Sequence, residues 1–331
     1  TSMLYVDHCD GAGSWEGLEQ VYVEAAFGAV IPVDDIPDRY DVLAPSSMVG
    51  NGLASRAGIE HLLWGASWGY EGIFWDSGDL SAGTMGGGIG WSADKVDDCF
   101  LLVDYLESPI ADYPRYLCIV GENVAAEVSS YGSPAAQELL GQWCGVSLVS
   151  ESYFELTGGS EGGTVNPFIT GLGGCGAGVD FYLDGGCPGI NNFDVLEKIG
   201  SAEYLFAYPD HEGQGYYAGI CNRTVNGSGV EVGTVWLGFS YMSIRNGAEG
   251  IPVRNSVAIR TGRCCTQMLP SPSEDITGAE IPAVTALGQI YPNPFNPSTT
   301  ISFDVAAKGP VCIRIYNVAG QLVRTLIDGE R

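Results

Sequence analysis

The sequence predicts an α/β domain built on a parallel sheet with helices on both faces, followed by a small all-β module. Three observations carry this. Short apolar runs alternate with stretches of helical periodicity through the first half of the chain. A glycine-rich region then interrupts the pattern before apolar strands resume, and past a proline cluster that begins at Pro292 the residues alternate with a period of two.

Taken in order, Met3-Leu4-Tyr5-Val6-Asp7 is an apolar run suited to a buried strand. Residues 14–27 read as a helix with Ser14 as N-cap, and Tyr40-Asp41-Val42 as a second strand. Gly72-Ile73-Phe74-Trp75-Asp76 is a third, opening into Ser77-Gly78-Asp79. Val96, Phe100, Leu101, Val103 and Leu106 recur at helical spacing over residues 92–106, and Tyr116-Leu117-Cys118-Ile119-Val120 forms the next strand. Helices are expected over 124–129 and 133–143. Residues from about 150 to 200 read as an insertion of turns and short strands, because Gly158-Gly159, Gly162-Gly163, Gly173-Gly174 and Gly185-Gly186 break it up. Strands follow at 204–208, 217–221 and 233–239, with a closing helix over 252–264. The first domain then spans 1–267, a linker rich in Pro, Ser, Thr and Ala spans 268–287, and the β module covers 288–331.

Charge restricts the partners. Forty Asp and Glu face 14 Lys and Arg, a formal net charge of −26, and lysine occurs only as Lys95, Lys198 and Lys308. Such a field repels nucleic acid and anionic membrane surfaces. No apolar run approaches the roughly 18 residues of a membrane-spanning helix, so no membrane insertion is expected. Ten cysteines, an even count, fit an oxidising compartment and predict disulfides, with Cys175 and Cys187 as the first local pair and the adjacent Cys264 and Cys265 reaching different partners. Three histidines and no paired Cys-x-x-Cys motifs argue against zinc.

The segment Tyr291-Pro292-Asn293-Pro294-Phe295-Asn296-Pro297-Ser298-Thr299, continued by Tyr316-Asn317-Val318-Ala319-Gly320-Gln321-Leu322-Val323-Arg324-Thr325-Leu326, resembles the C-terminal sorting domain of type IX (Por) secretion cargo, and equally the related flagellar hook-capping-like immunoglobulin-like domain. The resemblance implies export through the periplasm to the cell surface or medium, with the outer-membrane secretion machinery as partner. It also places Arg331 inside a domain that normally continues, so the terminal half-domain is expected to expose an unpaired strand edge.

The strand-loop pairs at 73–81 and 117–125, and the closing Val235-Trp236-Leu237-Gly238-Phe239-Ser240-Tyr241 ahead of Arg254, resemble the class I glutamine amidotransferase-like domain, a flavodoxin-like architecture. In active members the strand-to-helix turn carries a cysteine nucleophile, activated by a later histidine and an acid. Here that turn reads Val120-Gly121-Glu122-Asn123-Val124 and offers no thiol or hydroxyl, so the amide-transfer mechanism has no nucleophile. Cys118 lies inside the strand, where a thiol is inert core.

Candidate chemistry is therefore scattered. His211, flanked by Asp210 and Glu212, is the best general base. Ser47 is a possible nucleophile, with His8 at the same sheet edge, although a helix-capping turn explains Ser46-Ser47 equally well. Glu122, Asp76 and Asp79 stand at strand ends and could form an acidic pocket, against the alternative of a solvated acidic rim. Asp34, Asp35 and Asp38 are dense enough to suggest calcium, but without EF-hand spacing. Asn222-Arg223-Thr224 and Asn226-Gly227-Ser228 fit the glycosylation pattern. The chain reads as an exported accessory or binding module with a degenerate amidotransferase-like fold, its partner an extracellular protein or glycan. The rival reading is a secreted hydrolase (esterase, peptidase or glycan-active) running on His211, Ser47, Glu122 and Asp79.

Overall fold

A computed structural model describes residues 3–8, 38–41, 53, 69–78, 85, 97–108, 114–157, 167–173, 176–183, 192–210, 213–244, 256–258, 260–262, 264–265, 286–291, 300–304, 310–316 and 322–330. The chain divides into two units, Thr1–Pro270 and Ser271–Arg331.

The first unit is mixed α/β. Strands β1 (Met3–Asp7), β2 (Asp38–Asp41), β3 (Gly72–Asp76) and β4 (Arg115–Val120) run parallel in the order β2-β1-β3-β4. β4 continues in parallel to β11 (Glu231–Leu237), where the direction changes. β10 (Tyr217–Val225), β9 (Glu203–Ala207), β6 (Phe168–Gly171) and β7 (Phe181–Tyr182) extend the sheet by antiparallel pairing, and β8 (Val195–Lys198) joins β10 to β5 (Val146–Ser150).

The expectation of a sheet parallel throughout is corrected by connection length. A parallel pair needs a crossover of a dozen or more residues, usually a helix. Only Asn226–Val230 separates β10 from β11, closed by Asn226 N–H to Val230 O at 2.9 Å, which permits nothing but a hairpin. The glycine-rich region likewise supplies β6, β7 and β8 to the main sheet.

Alternation along the central strands buries both faces of the sheet. Met3, Tyr5, Phe74, Cys118 and Val120 enter one core, while Leu4, Val6, Ile73, Trp75, Leu117 and Ile119 enter the other. Helices α1 (Asp98–Glu107), α2 (Val124–Tyr131) and α3 (Pro134–Glu138) cover the second core through Leu101, Leu102, Val124, Val128 and Ala136. α3 runs into one π-helical turn, Leu139–Trp143, and the short α4 (Tyr153–Leu156) follows β5. Helical residues of the 256–265 segment, with Val257, Ala258, Cys264 and Cys265 buried, line the first core. Side-chain caps fix the helix starts: Asp97 accepts from Phe100 N–H on α1 and Ser133 from Ala136 N–H on α3, and Ser133 Oγ donates to Asp97 at 2.8 Å, tying the two ends together.

The expected disulfides are not found among the described residues. Cys99, Cys118, Cys144, Cys221, Cys264 and Cys265 are buried free thiols and Cys312 is an exposed one. Six of these cysteines serve as small apolar core residues, a common role for the unpaired side chain. Cys175 and Cys187 lie outside the described residues.

In the second unit, β12 (Ala286–Tyr291) pairs antiparallel with β13 (Thr300–Asp304), and β14 (Pro310–Tyr316) with β15 (Leu322–Glu330). Consecutive residues Arg314 and Ile315, and Val323 through Thr325, are exposed, so both faces of the second hairpin meet solvent at these positions.

Candidate functional site

The parallel strands end level with one another. Asp7 is in register with Asp76, Asp76 with Val120, and Val120 with Leu237, so the residues that follow form a continuous edge at the carboxyl ends, where open α/β sheets place their ligands. Backbone bonds carry the order one step further. His8 N–H donates to Asp76 O at 2.8 Å, Ser77 N–H to Val120 O at 2.9 Å, and Glu122 N–H to Gly78 O at 2.8 Å. Asp76 Oδ1 accepts from Gly78 N–H at 2.9 Å and so closes an Asx turn.

This edge is acidic and buried. Asp7, Asp76, Glu122 and Asp194 are all buried, as are His8, Ser77, Ser240 and Ser243. The expectation of a solvated acidic rim is corrected for Asp76 and Glu122, which are 0% and 1% exposed. His8 stacks on Trp75 with ring centroids 5.1 Å apart, and Trp75 Nε1 donates to Ser77 Oγ at 3.0 Å.

The β4–α2 connection is a sharp elbow. Gly121 has φ 152°, and a Cβ there would lie 2.7 Å from Val124 Cγ2 and 2.9 Å from Ser77 Cβ, so glycine is required. Asn123 follows in the left-handed region at φ 61°, the one non-glycine residue with positive φ among the described residues, and its side chain makes no capping bond to α2. Between them stands Glu122, whose Oε1 accepts a hydrogen bond from Ser243 Oγ in the 3₁₀ turn Tyr241–Ser243 after β11.

Asp194 supplies the missing cap from another part of the chain. Its Oδ2 accepts from Ala125 N–H at 2.8 Å in the first turn of α2. Burial pushes the Asp194 carboxyl well up, the amides of Ala125 and Ala126 hold it down in part, and Glu122 and Glu151 push it up further. Burial likewise raises the Tyr208 phenol, with Asp194 and Glu122 adding to the effect, and Tyr208 Oη donates to Asp194 O at 3.0 Å. Burial raises the Cys118 thiol, aided by Cys265 and Asp76, so Cys118 is core as the sequence implied. The arrangement holds acidic side chains in fixed, buried positions, and at Asp194 burial favours the protonated form. No group of three or more metal-ligating side chains occurs among the described residues.

Of the residues singled out in the sequence, Glu122, Asp76 and His8 occupy this edge. His211, Ser47, Asp79, Asp34 and Asp35 lie outside the described residues; Asp38 opens β2. Asp194 and Ser243 escaped sequence reasoning. The only signal for Asp194 is an acid set between Phe193 and Val195, and nothing in the sequence ties either residue to the elbow.

Among known families, residues 289–330 match the secretion system C-terminal sorting domain. The tail marks an export cargo. Its presence implies passage by the type IX route to the cell surface or medium, and no described helix is long and apolar enough to cross a membrane. The comparison with curated proteins gave no match. Among solved structures, Gan42B, a GH42 β-galactosidase, aligns at 10% identity over 78% of this chain and 28% of its own, with a TM-score of 0.37. The exo-β-1,4-mannosidase Op5Man5 from Opitutaceae bacterium strain TAV5 aligns at 12% identity over 80% and 36%, with a TM-score of 0.38. The chain thus spans about a third of these enzymes' length, and likenesses this shallow decide neither fold nor activity.

Proposed function

We propose that the protein is an exported accessory or binding module whose α/β unit is a degenerate amidotransferase-like domain of the flavodoxin-like type. The observation that carries this reading is the elbow. The strand-to-helix turn that bears the nucleophile in active members of that family holds Glu122 instead, buried and bonded to Ser243 Oγ, while Cys118, the thiol of the preceding strand, is sealed in β4. A carboxylate so placed cannot perform the family's thiol chemistry. The strand order β2-β1-β3-β4-β11, with the first strand between the second and third, supports the flavodoxin-like assignment. The partner is an extracellular protein or glycan, since the charge of −26 disfavours polyanions.

Two experiments test the two halves of this reading. Expressed behind a periplasmic leader in a host with a type IX system, the full chain is expected at the surface or in the medium, and a chain lacking residues 271–331 in the periplasm. Equal export of both would remove the sorting role. Native protein treated with a fluorophosphonate and with a chloroacetamide glutamine analogue is expected to show no labelled Ser or Cys in residues 1–270; stoichiometric labelling there would restore an enzymatic reading.

A further inference from the structure

The chain contains three Asn-Gly dipeptides, Asn51-Gly52, Asn226-Gly227 and Asn246-Gly247, of which only the second falls within the described residues. Asn-Gly is the dipeptide most open to attack on itself, because glycine carries no side chain to hinder its own amide nitrogen. At Asn226-Gly227 the two reacting groups have opposite surroundings. Gly227, Ser228 and Gly229 are exposed, and a Cβ on Gly227 would meet nothing within 4 Å. Asn226 is buried at 5% exposure, and both ends of its carboxamide are held. Nδ2 donates to Leu106 O at 3.1 Å and to Ser108 O at 3.5 Å, while Oδ1 accepts from Ser228 N–H and Val230 N–H, both at 3.0 Å. The backbone closes the same turn, Asn226 N–H to Val230 O at 2.9 Å and Gly229 N–H to Asn226 O at 3.0 Å. The nucleophile stands in water and the electrophile beside it is locked.

We propose that Asn226-Gly227 is a latent deamidation site, masked in the folded chain and released when the β10–β11 hairpin opens. In the open chain the Gly227 amide nitrogen gives up its proton and bonds to Asn226 Cγ. The Cγ–Nδ2 bond breaks, and Nδ2 leaves as ammonia with that proton. Water then opens the cyclic imide at either carbonyl, leaving aspartate or isoaspartate. In the folded chain the same ring closure would make Cγ tetrahedral and expel Nδ2 from its bonds to Leu106 and Ser108, a cost the open chain does not bear. The product does not fit back. An acid oxygen in place of Nδ2 sets an acceptor against the Leu106 and Ser108 carbonyls, and isoaspartate also lengthens the backbone of the turn by a methylene. Deamidation therefore makes a reversible opening permanent.

The chemistry is slow beside hairpin closure, so its native rate follows the population of the open form. The full chain is incubated in mildly alkaline buffer, with and without urea, until Asn51 and Asn246 have converted in urea, and is then mapped by peptide mass spectrometry. Asn226 should convert at least about a hundredfold more slowly in buffer than in urea. Comparable rates would overturn the proposal, as would an Asn226 left intact in urea. Gly229, at φ 82° with open space where a Cβ would stand, tests the gate. Gly229→Ala strains the turn without a clash and should raise the native rate of Asn226 conversion between about fivefold and a hundredfold, with the rate in urea unchanged. An unchanged native rate would show that hairpin opening does not control the reaction. Asn226→Asp, the unrearranged product, should unfold at lower urea than the wild-type chain, and an equal midpoint would overturn the permanence of the opening.

Discussion

Asn226 decides how the β10–β11 hairpin sits on the domain. Its Nδ2 donates to Leu106 O at 3.1 Å in the last turn of α1 and to Ser108 O at 3.5 Å, and its Oδ1 accepts from Ser228 and Val230 N–H, both at 3.0 Å. Asn226→Ala removes four bonds from a buried position and should cost about 1–3 kcal/mol, read as a fall in the urea midpoint with the slope unchanged. Asn222 is used similarly, donating to Trp143 O at 2.9 Å, so both asparagines of the glycosylation-like triplets spend their amide nitrogens inside the fold. The triplet pattern was legible in the sequence; the burial that commits the side chains was not, because it depends on α1 and the π turn. Asp194 supplies the residue-scale pH prediction. Burial raises its pKa above the unfolded value of about 3.9, so folding is favoured by protonation, fully below that value, and this contribution is lost as pH rises through the folded pKa. Glu122, Glu151 and Tyr208 face the group and leave the sign unchanged, the two acids because they raise it further. Asp194→Asn removes the titration and keeps an acceptor for Ala125 N–H. Its stability relative to the wild type should therefore increase with pH above about 4; a difference that is flat or falls with pH would contradict the assignment.

At the scale of elements, the elbow was half visible. The apolar run ending at Val120 and the helical pattern beginning at Val124 located a strand-to-helix turn, and Glu122 was named within it. What seals it comes from the 3₁₀ turn after β11 and from the segment before β8, contacts 121 and 69 residues distant in sequence that no local pattern encodes. Gly121→Ala forces a side chain into a positive φ and against Val124 and Ser77. It should destabilise the first unit by about 1–3 kcal/mol from backbone strain alone, with the clash adding to this. The parallel expectation failed at β9 and β10 because strand periodicity is blind to direction; the short Asn226–Val230 turn held the information. The disulfide expectation drew on cysteine count, which does not report geometry. Native maleimide labelling should modify Cys312 while sparing Cys99, Cys118, Cys144, Cys221, Cys264 and Cys265 until denaturant is added. Disulfide-linked peptides among those six would contradict the structure.

At the scale of the molecule, tail and charge gave the clearest sequence signal, because export signatures and net charge are local or additive. The proline-led motif marked the sorting domain that the family match places at 289–330. The α/β unit gave a fold class without a ligand, since function resides in side chains brought together from distant segments. The central proposal is that the α/β unit is an accessory or binding module, with a secreted hydrolase as its rival. The direct measurement is steady-state turnover of the full chain on ester, amide, glycoside and phosphate substrates, with and without calcium, beside Glu122→Gln and His211→Ala. The account predicts no turnover above that of the buffer. Turnover by the wild-type chain that either substitution abolishes would contradict it and return the protein to the hydrolases.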